Sequence, residues 1–202
     1  MLAIIDYDAG NIKSVEKAFR FLGKDVCVTR SKDDIYRADH VVLPGVGSFG
    51  DAMKKIDEYG LKDVIKTVCD KDVPFLGICL GLQLLFDSSE ESKGATGLGI
   101  LEGTIRRIPD DNGRLKIPQI GWNSLKLQNN GRLFSGIAED SYVYFVHSYY
   151  LTAKDESIVK ATCEYGTTIH ASVEKGNVFA CQFHPEKSSD TGMTILENFT
   201  KI

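Results

Sequence analysis

Val73-Pro74-Phe75-Leu76-Gly77-Ile78-Cys79-Leu80-Gly81-Leu82-Gln83-Leu84-Leu85-Phe86 changes its pattern halfway along. The first half is a short apolar run behind a proline, which reads as a buried strand. The second half is a leucine-rich apolar run, which reads as a helix. Cys79 sits at the joint between Gly77 and Gly81. This G-x-C-x-G arrangement is the cysteine form of the nucleophile elbow. A sharp strand-to-helix turn brings backbones together, and residues without a β-carbon allow the approach. The thiol then lies at a helix N-terminus, where partial positive charge favours thiolate. The alternative is a core cysteine, since free cysteine is among the most buried residue types.

Outward from this unit, the N-terminal half alternates strand and helix. Residues 2–7, 25–29 and 40–43 read as strands. Ile12, Val15, Phe19 and Leu22 recur at helical spacing, with Asn11 available as a cap and Gly23 as a stop. Helices are expected over 51–59 and 61–71. Short links between alternating units indicate an α/β fold: an open, mostly parallel sheet flanked by helices. Beyond a polar stretch at 87–99, read as a surface loop, short strands and turns take over. Strands are expected over 100–108, 142–146, 157–165, 168–174 and 178–183, extended chain over 115–127, and a turn over 109–113. This second half is read as largely antiparallel. A last helix carries Met193, Leu196 and Phe199 on one side. No linker or repeat interrupts the chain, so one domain over residues 1–202 is expected.

The chain has 202 residues, enough for a sizeable core. Its net charge of -4, without a Lys/Arg cluster, argues against nucleic acid. No apolar run is long enough to cross a bilayer, and the N-terminus lacks a basic segment before an apolar one. The five cysteines are scattered and odd in number, so a reducing cytoplasm fits better than a disulfide framework. None forms a CxxC pair, so no zinc site is expected. No metal or cofactor is called for by the remaining residues.

A cysteine nucleophile needs a base, and the base an orienter. His184 follows a buried strand in Gln182-Phe183-His184-Pro185-Glu186. Pro185 biases His184 toward extended backbone, where residues two apart share a side. Glu186 can then hold one imidazole nitrogen while the other faces Cys79. His40 and His170 lie on strands without such a carboxylate and read as packing residues. Pro44-Gly45-Val46-Gly47 follows a strand end, where the sites of open α/β sheets collect. Backbone N–H groups of Val46 or Gly47, with that of Leu80, would hold an oxyanion. A phosphate loop is the rival reading, but the Gly-Lys-Ser/Thr ending and the GxGxxG spacing are both missing. Gln83 lies one helical turn beyond Cys79, placed either to bind a polar substrate or to sit partly exposed on the helix.

Together these motifs resemble the triad-type (class I) glutamine amidotransferases, whose fold is flavodoxin-like. The resemblance rests on Gly77-Ile78-Cys79-Leu80-Gly81-Leu82-Gln83, Phe183-His184-Pro185-Glu186 and Pro44-Gly45-Val46-Gly47. Many members have Pro-Gly-Pro-Gly in the last motif and histidine where Leu82 stands. Those departures, with Asp6-Tyr7-Asp8-Ala9-Gly10-Asn11-Ile12, Ile117-Pro118-Gln119-Ile120-Gly121-Trp122-Asn123, Phe145-Val146-His147-Ser148-Tyr149 and Pro185-Glu186-Lys187-Ser188, are similar to one branch. That branch comprises the glutaminase subunits of imidazole glycerol phosphate synthase, from histidine biosynthesis.

The resemblance implies glutamine hydrolysis by Cys79, His184 and Glu186, with Gly45, Gln83, His147, Ser148 and Tyr149 in the glutamine pocket. It implies a heterodimer with a (β/α)8-barrel cyclase that receives the ammonia, met through Asn11, Trp122, Tyr144 and Lys187. Apart from the resemblance, Trp122 reads as a core aromatic and Lys187 as a solvated charge. Two other readings stay open: a glutaminase serving the chorismate or vitamin B6 pathway, and a non-catalytic regulatory subunit of the same fold.

Overall fold

Parallel strands need crossovers, and the first half of the chain supplies one after each strand. It runs β1 (Leu2–Ile5), α1 (Ile12–Phe21), β2 (Val26–Thr29), α2 (Lys32–Tyr36), β3 (His40–Gly45), α3 (Phe49–Glu58), α4 (Lys62–Asp70), β4 (Phe75–Cys79) and α5 (Leu80–Leu84). The second half is mostly strand: β5 (Ser88–Ser89), β6 (Gly103–Arg107), β7 (Gln119–Ser124), β8 (Lys126–Leu127), β9 (Tyr142–His147), β10 (Tyr149–Ala153), β11 (Val159–Glu164), β12 (Thr168–Lys175) and β13 (Val178–Cys181). Helix α6 (Ser189–Phe199) closes the chain. The computed structural model describes residues 1–110 and 112–202.

The main sheet has eight strands in the order β2-β1-β3-β4-β13-β12-β11-β8. From β2 to β13 every pairing is parallel, and from β13 to β8 every pairing is antiparallel. β10-β6-β5 and β7-β9 form two smaller sheets. The central strands β1, β4 and β13 are buried along their whole length, as strands covered on both faces must be. One apolar layer packs Phe49, Met53 and Ile56 of α3 with Val64 and Ile65 of α4. The other packs Val15 and Phe19 of α1 with Ile195, Leu196 and Phe199 of α6.

The position of β13 matters most for the site. Everything between α5 and β12 is inserted before the chain returns beside β4, with Cys181 paired to Ile78. On the other side of β4, Gly45 of β3 pairs with Cys79. The segments that follow β3, β4 and β13 therefore leave one edge of the sheet side by side.

Several elements differ from their sequence reading. Asn11 precedes α1 in a left-handed conformation, φ 69°, but its side chain does not cap the helix. Helix α3 starts at Phe49 rather than Asp51, because the Ser48 hydroxyl accepts from the Asp51 N–H. The stretch 87–99 is more than a surface loop: β5 pairs with β6, and Ser89 and Leu98 are buried. Residues 156–158 form a single 3-10 turn ahead of β11. The expected turn over 109–113 includes Asp111, which lies outside the described residues.

Candidate active site

Cys79 ends β4 with φ 55° and ψ -106°, a backbone conformation that L-residues rarely adopt. The neighbouring glycines make it possible. A Cβ on Gly81 would overlap the Leu43 carbonyl oxygen, and one on Gly77 would sit 2.8 Å from the Gly81 oxygen. On the adjacent strand, the Tyr7 hydroxyl donates to the Pro44 carbonyl at 2.9 Å and pins the segment that carries Gly45, Val46 and Gly47. Gly47 takes φ 101°, which favours glycine.

His184 leaves β13 in extended conformation, φ -100° and ψ 94°, as the following proline requires. Its Nδ1 donates to Glu186 Oε1 at 2.8 Å, and both side chains are buried. The His184 N–H donates to the Tyr144 carbonyl at 2.9 Å, and the Ser188 hydroxyl donates to the His184 carbonyl at 2.6 Å. The ring is thus fixed from its backbone as well as from its carboxylate. Nε2 is buried without a hydrogen-bond partner, and His184 and Cys79 line the same cavity. Burial alone would push the imidazole pKa down. Cys79 and then Glu186 outweigh it and raise the value to about 9. The sulfur acts on the imidazole first by hydrogen bonding and then by its charge, the contact being too loose to count as a closed hydrogen bond.

Glu186 Oε1 accepts a second hydrogen bond, from Asn11 Nδ2 at 2.8 Å. The asparagine expected to cap α1 instead holds the carboxylate that orients His184. The 3.6-residue periodicity gives no hint of this, because the bond joins two distant parts of the chain.

The cavity has a volume of about 300 Å³, at the lower end for small-molecule sites. Val46, Gly47, Leu80, Gln83, Ser148 and Tyr149 line it beside Cys79 and His184, as does His147. Glu91 and Pro118 line it too; Glu91 belongs to no sequence motif, and Pro118 stands in the Ile117–Asn123 stretch without a pocket role. The Glu91 carboxylate, which accepts from the Phe49 N–H at 2.7 Å, offers a counter-charge to an ammonium group. Gln83 is buried rather than partly exposed. Its Nε2 donates to the Tyr149 carbonyl and to Gln182 Oε1, both at 3.0 Å. Only its oxygen is left for a ligand.

His147 is buried with Nδ1 2.9 Å from the Tyr149 carbonyl, so that nitrogen carries the hydrogen. Nε2 lies 2.9 Å from the side-chain oxygen Oε1 of Gln119. Burial lowers the His147 pKa to about 4, with the Tyr149 carbonyl opposing the shift. His147 is therefore a neutral, oriented wall of the pocket. His40 and His170 are elsewhere: His40 packs edge-on to Phe199 at 5.3 Å, and His170 Nδ1 accepts from the Ala153 N–H at 3.1 Å.

Trp122, Tyr144 and Lys187 come together beside the triad. Trp122 pairs with Tyr144 across β7 and β9, with ring centroids 6.2 Å apart. Lys187 Nζ stands 6.0 Å from the Tyr144 ring. Trp122 is 52% exposed, which removes the core-aromatic reading. The five cysteines are all free. Burial pushes the thiols of Cys69, Cys163 and Cys181 up to about 12, the mark of unreactive cysteines. Among the described residues, no group of three or more His, Cys, Asp or Glu side chains is placed to hold a metal ion. No helix among the described residues is long and apolar enough to cross a membrane.

The family model of the class-I glutamine amidotransferases matches residues 3–202, and the chain belongs to that family of enzymes. Among its relatives, imidazole glycerol phosphate synthase subunit HisH of Bacillus cereus (strain G9842) is 51% identical over 202 residues, covering 100% of this chain and 95% of that protein. Subunit HisH of Methanocaldococcus jannaschii is 46% identical over 202 residues and is covered over 100% of both chains. The solved structure of PurLQS from Thermotoga maritima superposes with a TM-score of 0.76, over 99% of this chain and 97% of that one. At 19% identity it speaks for the fold alone.

Proposed function

We propose that this chain is the glutaminase subunit of imidazole glycerol phosphate synthase, a single domain over residues 1–202 that works in the cytoplasm as a heterodimer with a barrel cyclase. The end-to-end identity with proteins named as that subunit supports the assignment. One observation carries the chemistry. His184 is bound through Nδ1 to a buried carboxylate, and its other nitrogen is unpartnered on a cavity shared with Cys79.

The Cys79 thiolate attacks the side-chain amide carbon of glutamine, forming the C–S bond and an oxyanion. Backbone N–H groups of Val46 or Gly47 and of Leu80 hold that oxygen, each such donor supporting roughly a 10²- to 10³-fold rate gain. The C–N bond then breaks, and His184 gives its proton to the departing ammonia. A water that has lost a proton to His184 attacks the thioester and releases glutamate. Gly47 lets the backbone approach the substrate, while Gln83, His147, Ser148 and Tyr149 shape its pocket. Gly45, which does not line the cavity, gives room to Tyr7 and Leu80 behind it. Free ammonia at neutral pH takes a proton and is no longer a nucleophile, so transfer to a docked cyclase serves the chemistry. The surface of Asn11, Trp122, Tyr144 and Lys187 beside the triad is the proposed docking face.

The test is Cys79→Ala assembled with a histidine-pathway cyclase. Glutamine-dependent product formation should vanish, while the reaction with added ammonium continues. Loss of both reactions would contradict separate sites, and failure to bind that cyclase would favour another acceptor.

A further inference from the structure

Behind Gln83, which lines the cavity, lies a second buried amide that reaches Cys79. Gln182, in the link between β13 and His184, is fully buried, and its N–H donates to the Ala171 carbonyl at 2.8 Å. Its side chain lies between two polar groups. Oε1 is 3.0 Å from Gln83 Nε2, and Nε2 is 3.8 Å from Cys79 Sγ.

Which end of an amide is nitrogen follows from its partners, and here the partners leave one arrangement. The Tyr149 carbonyl can only accept, so the Gln83 group 3.0 Å from it is the NH2. The second hydrogen of that NH2 is directed at Gln182, so the atom it meets there is the carbonyl oxygen. The NH2 of Gln182 is thereby turned onto the sulfur. A main-chain carbonyl, which cannot flip independently of its strand, sets the direction of both amides.

The titratable groups that face Sγ are His184 and Tyr7, and both stay in place when Gln182 is changed. Sγ has a further polar neighbour, the Val146 carbonyl at 3.9 Å. A thiol can donate to that oxygen. A thiolate cannot, and the carbonyl dipole then opposes its charge. An N–H donor has the opposite preference, since hydrogen bonds to ionised groups are the stronger ones. We propose that Gln182 is a catalytic residue: its N–H holds the negatively charged sulfur of Cys79 in position to attack, with Gln83 as the positioning residue behind it. The proposal rests on Cys79 being the nucleophile. The rival role for the two glutamines is packing, without any action on sulfur charge.

The two roles separate on the pH dependence of alkylation. Iodoacetamide reacts with thiolate, needs no glutamine, and its adduct on the Cys79 peptide can be followed by mass spectrometry apart from Cys27 and Cys69. Gln182→Met keeps the length of the side chain and removes the donor. Its Cys79 should react about tenfold more slowly than wild type near neutral pH. It should match wild type at about pH 10, where alkali ionises a thiol without help. Equal rates near neutral pH overturn the proposal, as does the same slowing at both pH values, which is the packing outcome. If Gln182→Met does not unfold cooperatively, Gln83→Met is read the same way. It leaves Gln182 in place but releases its amide, and about threefold slowing near neutral pH with recovery in alkali is expected. Wild-type rates in that variant would equally overturn the proposal. Because alkylation bypasses glutamine, either failure leaves the glutaminase assignment to its own test.

Discussion

His184 is held charged against its own burial. The Cys79 sulfur and the Glu186 carboxylate raise its pKa to about 9 from the ordinary 6.5. A group raised in the folded state contributes stability fully below the ordinary value, and loses that contribution as pH rises through the folded one. In the proposed role of proton donor to ammonia it should give kcat/KM an alkaline limb near pH 9. Glu186→Gln should move that limb to lower pH and cost roughly 10²- to 10⁴-fold in kcat. A pH–rate profile with its limb unmoved would refute the role of the carboxylate.

His147 behaves in the opposite sense. Its pKa of about 4 lies below 6.5, so its contribution is present above pH 6.5 and disappears as pH falls through about 4. Urea unfolding over that window should show stability falling with pH, and His147→Gln should flatten the fall. An unchanged slope would contradict neutral burial. At this scale the grouping of Cys79, His184 and Glu186 was legible because glycines flank Cys79 and a proline separates His184 from Glu186. Asn11, Glu91, Gln119 and Gln182 were not. Each earns its place through a bond or a wall across the fold, and no local pattern encodes such pairing.

The turn from β4 into α5 is the element that sets the position of Cys79. It works only because the main chain of α5 lies against β3, with no room for a Cβ on Gly81. Gly81→Ala should destabilise the protein by roughly 2–4 kcal/mol, the range for severe packing clashes with fixed backbone. Denaturant unfolding measures this, and a loss below about 0.5 kcal/mol would mean that the elbow can relax. Long periodic segments such as α1, α3 and α4 were readable from spacing. Helix α2 spans five residues and β5 two, too short for a period to register. The 87–99 stretch reads as polar loop, yet pairing of β5 with β6 and burial of Leu98 tie it to the core.

For the molecule as a whole, function depends on strand order. Placing β13 beside β4 carries His184 back across the inserted strands to the sheet edge where Cys79 stands. An α/β class could be read from alternating periodicity. The return of the last strand to the middle of the sheet could not, since register is a property of pairing. Beside that edge, Trp122 is half exposed and stacked edge-on to Tyr144. Trp122→Ala should leave the melting temperature of the isolated chain nearly unchanged while weakening cyclase binding by about tenfold or more, as loss of an aromatic anchor does. Unchanged affinity in calorimetry would remove Trp122 from the docking face.

The central claim is that one sulfur attacks the glutamine amide with help from His184. Incubation with a diazo-ketone analogue of glutamine, followed by intact-mass and peptide analysis, tests it most directly. The account predicts one adduct per chain, carried by Cys79, forming far more slowly in His184→Ala. An unlabelled chain, or an adduct on another cysteine, would contradict it.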